Sequence, residues 1–375
     1  MSIYNDLGVK EIINAAGTYT VVGATKMSEK TLSDIKDAAS MFVSIEDLKA
    51  KVQKEIARLT HNEAAHISNS CSTALYLTCI AFLEHKYQKP FDNIDKKTIE
   101  ESEFVGIWSQ HIPYDRAITQ VGVKMKFIGY TNPTATLTKD ELRLAINDKT
   151  IGVYFAPRTP DGYVGANTLN LADVIEVAHE MGVPVLVDAA AQLPPKSNLW
   201  RFSEMGGDVV TFSGGKDLAG PQASGLALGK SKYIDIIDKL GFPNYGPGRL
   251  MKIGREEIVG LYSAIKQYME NDEEKRFAWC EEQIISLRNM LDKSLIYKVE
   301  RSYPNQAGQP LPRAFVAVLD NSPLAAEEIR KKLMEFEPAV FCFTEDKNGL
   351  FINPMCMKEG DVEYIAEKLL EIERG

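Results

Sequence analysis

Apolar and charged positions alternate at helical spacing through residues 31–59. AAHISNS then reads as the approach to CSTALYLTCIAFLEHK, whose dense apolar content predicts a buried helix over about 71–86. Downstream the period shortens. β-Branched and aromatic runs at EFVGIW, VKMKFIG and IGVYFAP read as strands, and the spacing between them predicts helices over 113–121, 138–148 and 169–181. Two further strands end on polar residues: VPVLVDA (183–189) on Asp188 and DVVTFSGGK (208–216) on Lys216, after which AGPQASGLALGK returns as another strand. Strands alternating with helices imply a mostly parallel sheet. The pattern breaks around Pro243–Pro247 and resumes as a long helical stretch over 255–294, interrupted near Asn271. VERSY, RAFVAVL, VFCFTED and GLFINPM, with helices near 323–335 and 362–373, then read as a smaller α+β unit. The expected organisation is an N-terminal segment (1–40) closing on the active site, a large α/β domain (41–250), and a linking helix with a small C-terminal domain (251–375).

Composition narrows the partners. With 375 residues, 45% hydrophobic and 25% charged, the chain has the make-up of a globular protein of more than one domain. A formal charge of −9 offers no long-range attraction to a phosphate backbone, so nucleic acid is not expected as a partner. MSIYNDLGVKEI lacks a basic segment followed by an apolar run, and no apolar stretch reaches the roughly 18 residues of a membrane span. A cytoplasmic location without membrane attachment is expected. Cys71, Cys79, Cys280, Cys342 and Cys356 form no CxxC pair and read as reduced thiols rather than a disulfide framework or a metal site. Cys71, between two serines at a helix start, reads as a small packed residue, with a stabilised thiolate as the alternative.

Ligands of open α/β sheets collect beyond the carboxyl ends of strands, where Asp188 and Lys216 fall. An acid and a lysine so placed, with a serine-rich helix start, suit pyridoxal 5'-phosphate (PLP). That cofactor needs a lysine to hold it, an acid at its pyridine nitrogen, a phosphate cup and a group against its ring. Lys216 follows two glycines that allow a sharp turn and close backbone approach, and no GxxxxGK[ST] pattern makes it a nucleotide-loop lysine. Asp188 would keep the pyridine nitrogen protonated, and Gln192 would reach the ring oxygen. Ser70, Cys71 and Ser72 offer helix-start amides and hydroxyls to an anion, with Ser213 as a further donor; simple capping is the plainer reading of each serine. His111 either covers the ring and assists proton transfer or caps the segment IPYDRAI. Arg158, Arg249 and Lys252 are the candidate readers of substrate anions. GPG in NYGPGRLMK is not the GxGxxG of a dinucleotide site.

The run DVVTFSGGKDLAGPQASGLALGK resembles the cofactor-lysine segment of the bacterial selenocysteine synthase family, which includes D-glucosaminate-6-phosphate ammonia-lyases. The resemblance extends through EIINAAGTYTVVG, LTHNEAAHISNSCSTAL, HIPYDRAITQVGVKMKFIG, the VPVLVDAAAQLPP region and GPGRLMKIGREEIVGLYSAIKQY, roughly residues 8 to 270. It implies an aspartate-aminotransferase-like fold (fold type I) with a mostly parallel seven-stranded sheet. It makes Lys216 the Schiff-base lysine, Asp188 the pyridine partner, Ser70 to Ser72 with Ser213 the phosphate surroundings, and places His111 beside the ring. It also implies a homodimer or a higher assembly of dimers. Selenocysteine synthases carry an added N-terminal tRNA module and read SGDK where this chain has SGGK at 213–216. A small-molecule lyase is therefore expected, eliminating water from a 2-amino-3-hydroxy acid, a phosphorylated amino sugar acid in kind, to give a 2-keto-3-deoxy acid and ammonia. Racemisation, aldol cleavage and transamination share its early steps, and a structural or regulatory relative without catalysis is the non-enzymatic alternative.

Overall fold

A computed structural model describes residues 3–130, 135–157, 168–344 and 348–375. Its strands in chain order are β1 (Ile12–Asn14), β2 (Ala64–Ser68), β3 (Glu103–Ile107), β4 (Lys124–Ile128), β5 (Thr150–Phe155), β6 (Val185–Asp188), β7 (Val209–Ser213), β8 (Gly225–Gly229), β9 (Tyr297–Ser302), β10 (Arg313–Val318), β11 (Ala339–Phe341) and β12 (Gly349–Ile352). Contacts divide the chain into a larger unit, Met27–Glu270, and a smaller one formed by Met1–Lys26 with Asn271–Gly375. Both boundaries differ from the expected 40 and 250. The helix Glu29–Ala39 packs against the helix Arg255–Glu270, which draws both into the larger unit. The predicted long helix breaks where expected: Asp272 caps a second helix, Glu273–Met290, through its side chain.

The larger unit holds a seven-stranded sheet in the order β2-β8-β7-β6-β5-β3-β4. From β7 to β4 neighbouring strands run parallel, and β8 is antiparallel to both β7 and β2. Strand side chains alternate faces, and here the alternation divides two cores. Val153, Val185, Val187, Val210, Phe212 and Leu226 enter one. Tyr154, Leu186, Val209 and Ala227 enter the other, which is covered by the helix Cys71–Tyr87. That helix is buried on nearly every side, as its composition requires. AAHIS, read as an approach to the helix, is strand β2.

A polar clamp ties β2 to the chain beyond the helix Ser231–Leu240. Buried Lys49 donates to Asp238 (2.7 Å) and to the carbonyl of Phe242 (2.7 Å), and Asp238 also pairs with Nδ1 of buried His66 (3.0 Å). Burial, with the Lys49 charge nearby, holds the imidazole down at about 4 despite Asp238. An unfolded His66 takes up a proton near pH 6.5, whereas the native one does so only near pH 4. The native state is therefore favoured fully above 6.5 and loses stability as pH falls across that interval, by up to about 3 kcal/mol. Urea midpoints measured from pH 7 to pH 4 should fall steeply for the wild type and more gently for His66→Gln; equal slopes would contradict this.

The smaller unit has a three-stranded antiparallel sheet, β12-β10-β9, with the helices Ala326–Leu333 and Asp361–Arg374 in its core. INAAG near the N-terminus, irregular by composition, supplies β1, which pairs in parallel with β11.

Candidate active site

The strand period assembles the site. On the sheet face under the helix Cys71–Tyr87, the positions that end β6 and β7 and begin β8 are Asp188, Ser213 and Gly225, and the penultimate residue of β5 is Tyr154. Asp188 is buried, and its carboxylate is held on both oxygens: Tyr154 donates to Oδ2 (2.9 Å), and the Ala190 amide (3.2 Å) and the Cys71 thiol (3.8 Å) approach Oδ1. Burial pushes the carboxyl up; the Tyr154 bond, the Ala190 amide and the Lys216 charge oppose it.

Lys216 lies in the turn after β7, close enough for its charge to act on both Asp188 and Cys71. Its ammonium is 5.8 Å from the centroid of the Tyr114 ring. The turn is tight. The Gly214 amide donates to the Ser224 carbonyl (3.0 Å), and a Cβ on Gly215 would come within 2.7 Å of Gln222 Cα, so the two glycines preceding the lysine serve close approach.

Ser70 is the N-cap of the helix Cys71–Tyr87, accepting from the Thr73 amide (3.1 Å) and sharing a hydrogen bond with the Thr73 hydroxyl (3.0 Å). Its hydroxyl is thus engaged in capping, while the amides of Cys71 and Ser72 stand at the positive end of a 17-residue helix and the Ser72 side chain is exposed. Of the two readings of Cys71, the packed residue holds and the stabilised thiolate does not. Its side chain turns into the core toward Asp188, and burial together with that carboxylate pushes the thiol well above its ordinary value.

His111 is half exposed and bonded through Nδ1 to buried Asp115 (2.6 Å), with Trp108 and Phe127 against its ring. It caps no helix through its side chain. Beside it, Gln110 accepts from the Ala156 amide (2.7 Å), which fixes the orientation of its amide and leaves Nε2 buried without a partner among the described residues. Gln192 is buried in the loop after β6. Arg249 and Lys252 are exposed on the 241–254 loop, Arg249 stacked on Phe242 (5.1 Å) and Tyr245 (5.8 Å). Arg158 lies outside the described residues. Sequence reasoning missed Tyr154, Tyr114, Gln110 and Gly225; for Tyr154 the signal was present, since it stands on the same strand face as the position that ends β6.

This sheet and site define a PLP-dependent enzyme of fold type I. The chain belongs to the family described as SelA: L-seryl-tRNA selenium transferase, which it matches over residues 12–298. It is 26% identical to the D-glucosaminate-6-phosphate ammonia lyase of Salmonella typhimurium, over 99% of this chain and 98% of that one. A solved D-glucosaminate-6-phosphate ammonia-lyase structure superposes with a TM-score of 0.82 at 24% identity, covering 100% of this chain and 98% of the other. A variant serine palmitoyltransferase from S. paucimobilis, solved with a PLP–myriocin aldimine bound, gives 0.60 at 10% identity, covering 97% and 88%. No helix among the described residues is long and apolar enough to cross a membrane.

The residues present fit PLP. A buried carboxylate with its protein-facing oxygens already satisfied suits a cationic ring nitrogen, and the helix-start amides suit a phosphate. Gln110 Nε2 is a buried donor that finds no partner among the described residues.

Proposed function

We propose that this protein is a PLP-dependent ammonia-lyase acting on a small 2-amino-3-hydroxy acid, specifically a phosphorylated amino sugar acid, to yield a 2-keto-3-deoxy acid and ammonia. The observation that carries the reading is similarity to an ammonia lyase along essentially the whole length of both chains, joined to a lysine and a buried aspartate at neighbouring strand ends. When bound, PLP supplies an electron sink conjugated to the substrate Cα.

In this reading Lys216 would hold the cofactor, and its Nζ would take the Cα proton of the bound substrate. Asp188 keeps a proton on the ring nitrogen. The amides of Cys71 and Ser72, with Ser213, bind the cofactor phosphate, and Gln192 reaches the ring oxygen. His111, oriented by Asp115, covers the ring and hands a proton to the departing 3-hydroxyl, which leaves as water. The released enamine takes a proton at C3, and one water hydrolyses its carbon–nitrogen bond to free ammonia, so the net change is substrate to 2-keto-3-deoxy acid plus ammonia. Arg249, Lys252 and Arg158 read the substrate anions.

The test is to incubate the holoenzyme with 2-amino-3-hydroxy sugar acids, phosphorylated and not, and follow ammonia and 2-keto acid. Equimolar release of both without an added keto acceptor is expected. A requirement for an acceptor would make it an aminotransferase, and change of handedness without ammonia a racemase. With the substrate in hand, Arg249→Ala should raise KM by roughly tenfold or more for the phosphorylated form while leaving kcat and cofactor occupancy near wild type, because a charge-assisted contact kept in ground and transition states acts on binding alone. An equal loss for both substrate forms would remove Arg249 from phosphate reading.

A further inference from the structure

Tyr154 is among the largest fully buried side chains of the protein, and its phenol reaches no water. It donates to Oδ2 of Asp188 (2.9 Å), while Oδ1 is met from the other side by the Ala190 amide (3.2 Å) and the Cys71 thiol (3.8 Å). The three donors arrive from separate elements: β5, the loop after β6 and the start of the helix Cys71–Tyr87. A core that needed only volume at position 154 would be filled equally well by phenylalanine, as at Phe82 and Phe104 nearby. We infer that Tyr154 is a positioning residue for the reaction, its hydroxyl holding the Asp188 carboxylate ionised and in one orientation, with the Cys71 thiol as the weaker second support.

The inference rests on the reading of Asp188 as partner of the cofactor's ring nitrogen. A carboxylate stripped of water tends to take up a proton, and burial already pushes Asp188 in that direction. Tyr154 counters this because burial raises its own ionisation far above the ordinary phenol range, so it remains a donor at every working pH. Cys71 is kept protonated in the same way. Lys216 is the nearby cation, and without bound cofactor it adds to the support. Without the phenol, a proton shared between carboxylate and ring nitrogen moves toward the carboxyl, and the sink loses its charge.

Two measurements separate the inference from its premise. In the protein without cofactor, infrared bands of the carboxyl group that vanish in Asp188→Asn report the protonation midpoint of Asp188. Tyr154→Phe should raise it by about one to two pH units, the equivalent of one hydrogen bond to a charged group, while thermal midpoints show that the fold is kept. In the holoenzyme, the pH titration of the cofactor's visible absorbance should move in the same direction in Tyr154→Phe as in Asp188→Asn, and less far. Cys71→Ala should raise the infrared midpoint by a smaller amount, and it decides the matter should Tyr154→Phe not fold. An unchanged infrared midpoint overturns the inference and leaves Tyr154 as core filling. An Asp188→Asn titration identical to wild type overturns the role of Asp188 itself, and the positioning role with it, even where the infrared coupling is found.

Discussion

Lys216→Ala is expected to lose the covalent cofactor link and to slow turnover at least about a thousandfold, because the same amine is asked both to hold the cofactor and to move the Cα proton, and a positioned general base alone is worth 10²–10⁴-fold. Its place makes the case. The turn after β7 is built from Gly214 and Gly215 packed onto Ser224 and Gln222, so Lys216 leaves a rigid strand end rather than a free loop. Tyr268 braces the next residue by donating to Asp217 (2.7 Å). Buried Lys49 is committed to Asp238 and the Phe242 carbonyl and cannot take the role without breaking the clamp. Borohydride reduction of the holoenzyme followed by peptide mass mapping should place the label on the peptide containing Lys216. In Lys216→Ala the visible absorbance should shift to that of free cofactor, with weak binding retained through the phosphate cup. A label on any other lysine would reject the assignment.

Much of this was legible in the sequence because the large sheet is buried on both faces. Parallel strands between helices read as short apolar β-branched runs, and VLVD and VVTFS end where the apolar run gives way to a residue of the proposed site. The helix break at Asn271 was legible for a similar reason, a capping aspartate in an otherwise continuous pattern. What failed were elements without a pattern of their own. β1 is three residues long and exists because β11, from the far end of the chain, pairs with it. β2 reads AAHIS, five residues with little β-propensity, and is specified by its antiparallel register with β8. Cys71 was read as a packed residue with a stabilised thiolate as the alternative, and only the structure shows that its side chain turns inward against a carboxylate. Tyr154 shows the opposite case: IGVYFAP was read as a strand, yet the consequence of its parity, a phenol on the same face as the aspartate ending β6, was left undrawn.

Gly225→Ala is expected to cost about 3 kcal/mol or more of stability and to weaken cofactor binding together with it. A Cβ on Gly225 would stand 2.1 Å from the Ser70 carbonyl carbon, 2.4 Å from the Cys71 amide nitrogen and 2.5 Å from the Ser70 oxygen. These are backbone atoms, so no rotamer change relieves the contact. Neither side can retreat easily. Gly225 is held in register with Ser68 on one side and Ser213 on the other, and the helix beginning at Cys71 carries Leu75, Leu77, Ile80, Phe82 and Leu83 into the core, where interiors resist displacement. The missing side chain therefore lets the helix start descend onto the sheet at the beginning of β8, and that descent sets the Cys71 and Ser72 amides where the proposed phosphate cup requires them. Two readouts follow. The urea midpoint of the protein without cofactor should fall, and in the fraction that remains folded PLP should bind at least tenfold more weakly, the loss expected when anion-binding amides are displaced. A folded Gly225→Ala variant with wild-type affinity for PLP would detach the helix start from cofactor binding and move the phosphate site elsewhere; a wild-type urea midpoint would show that the sheet yields where its packing says it cannot.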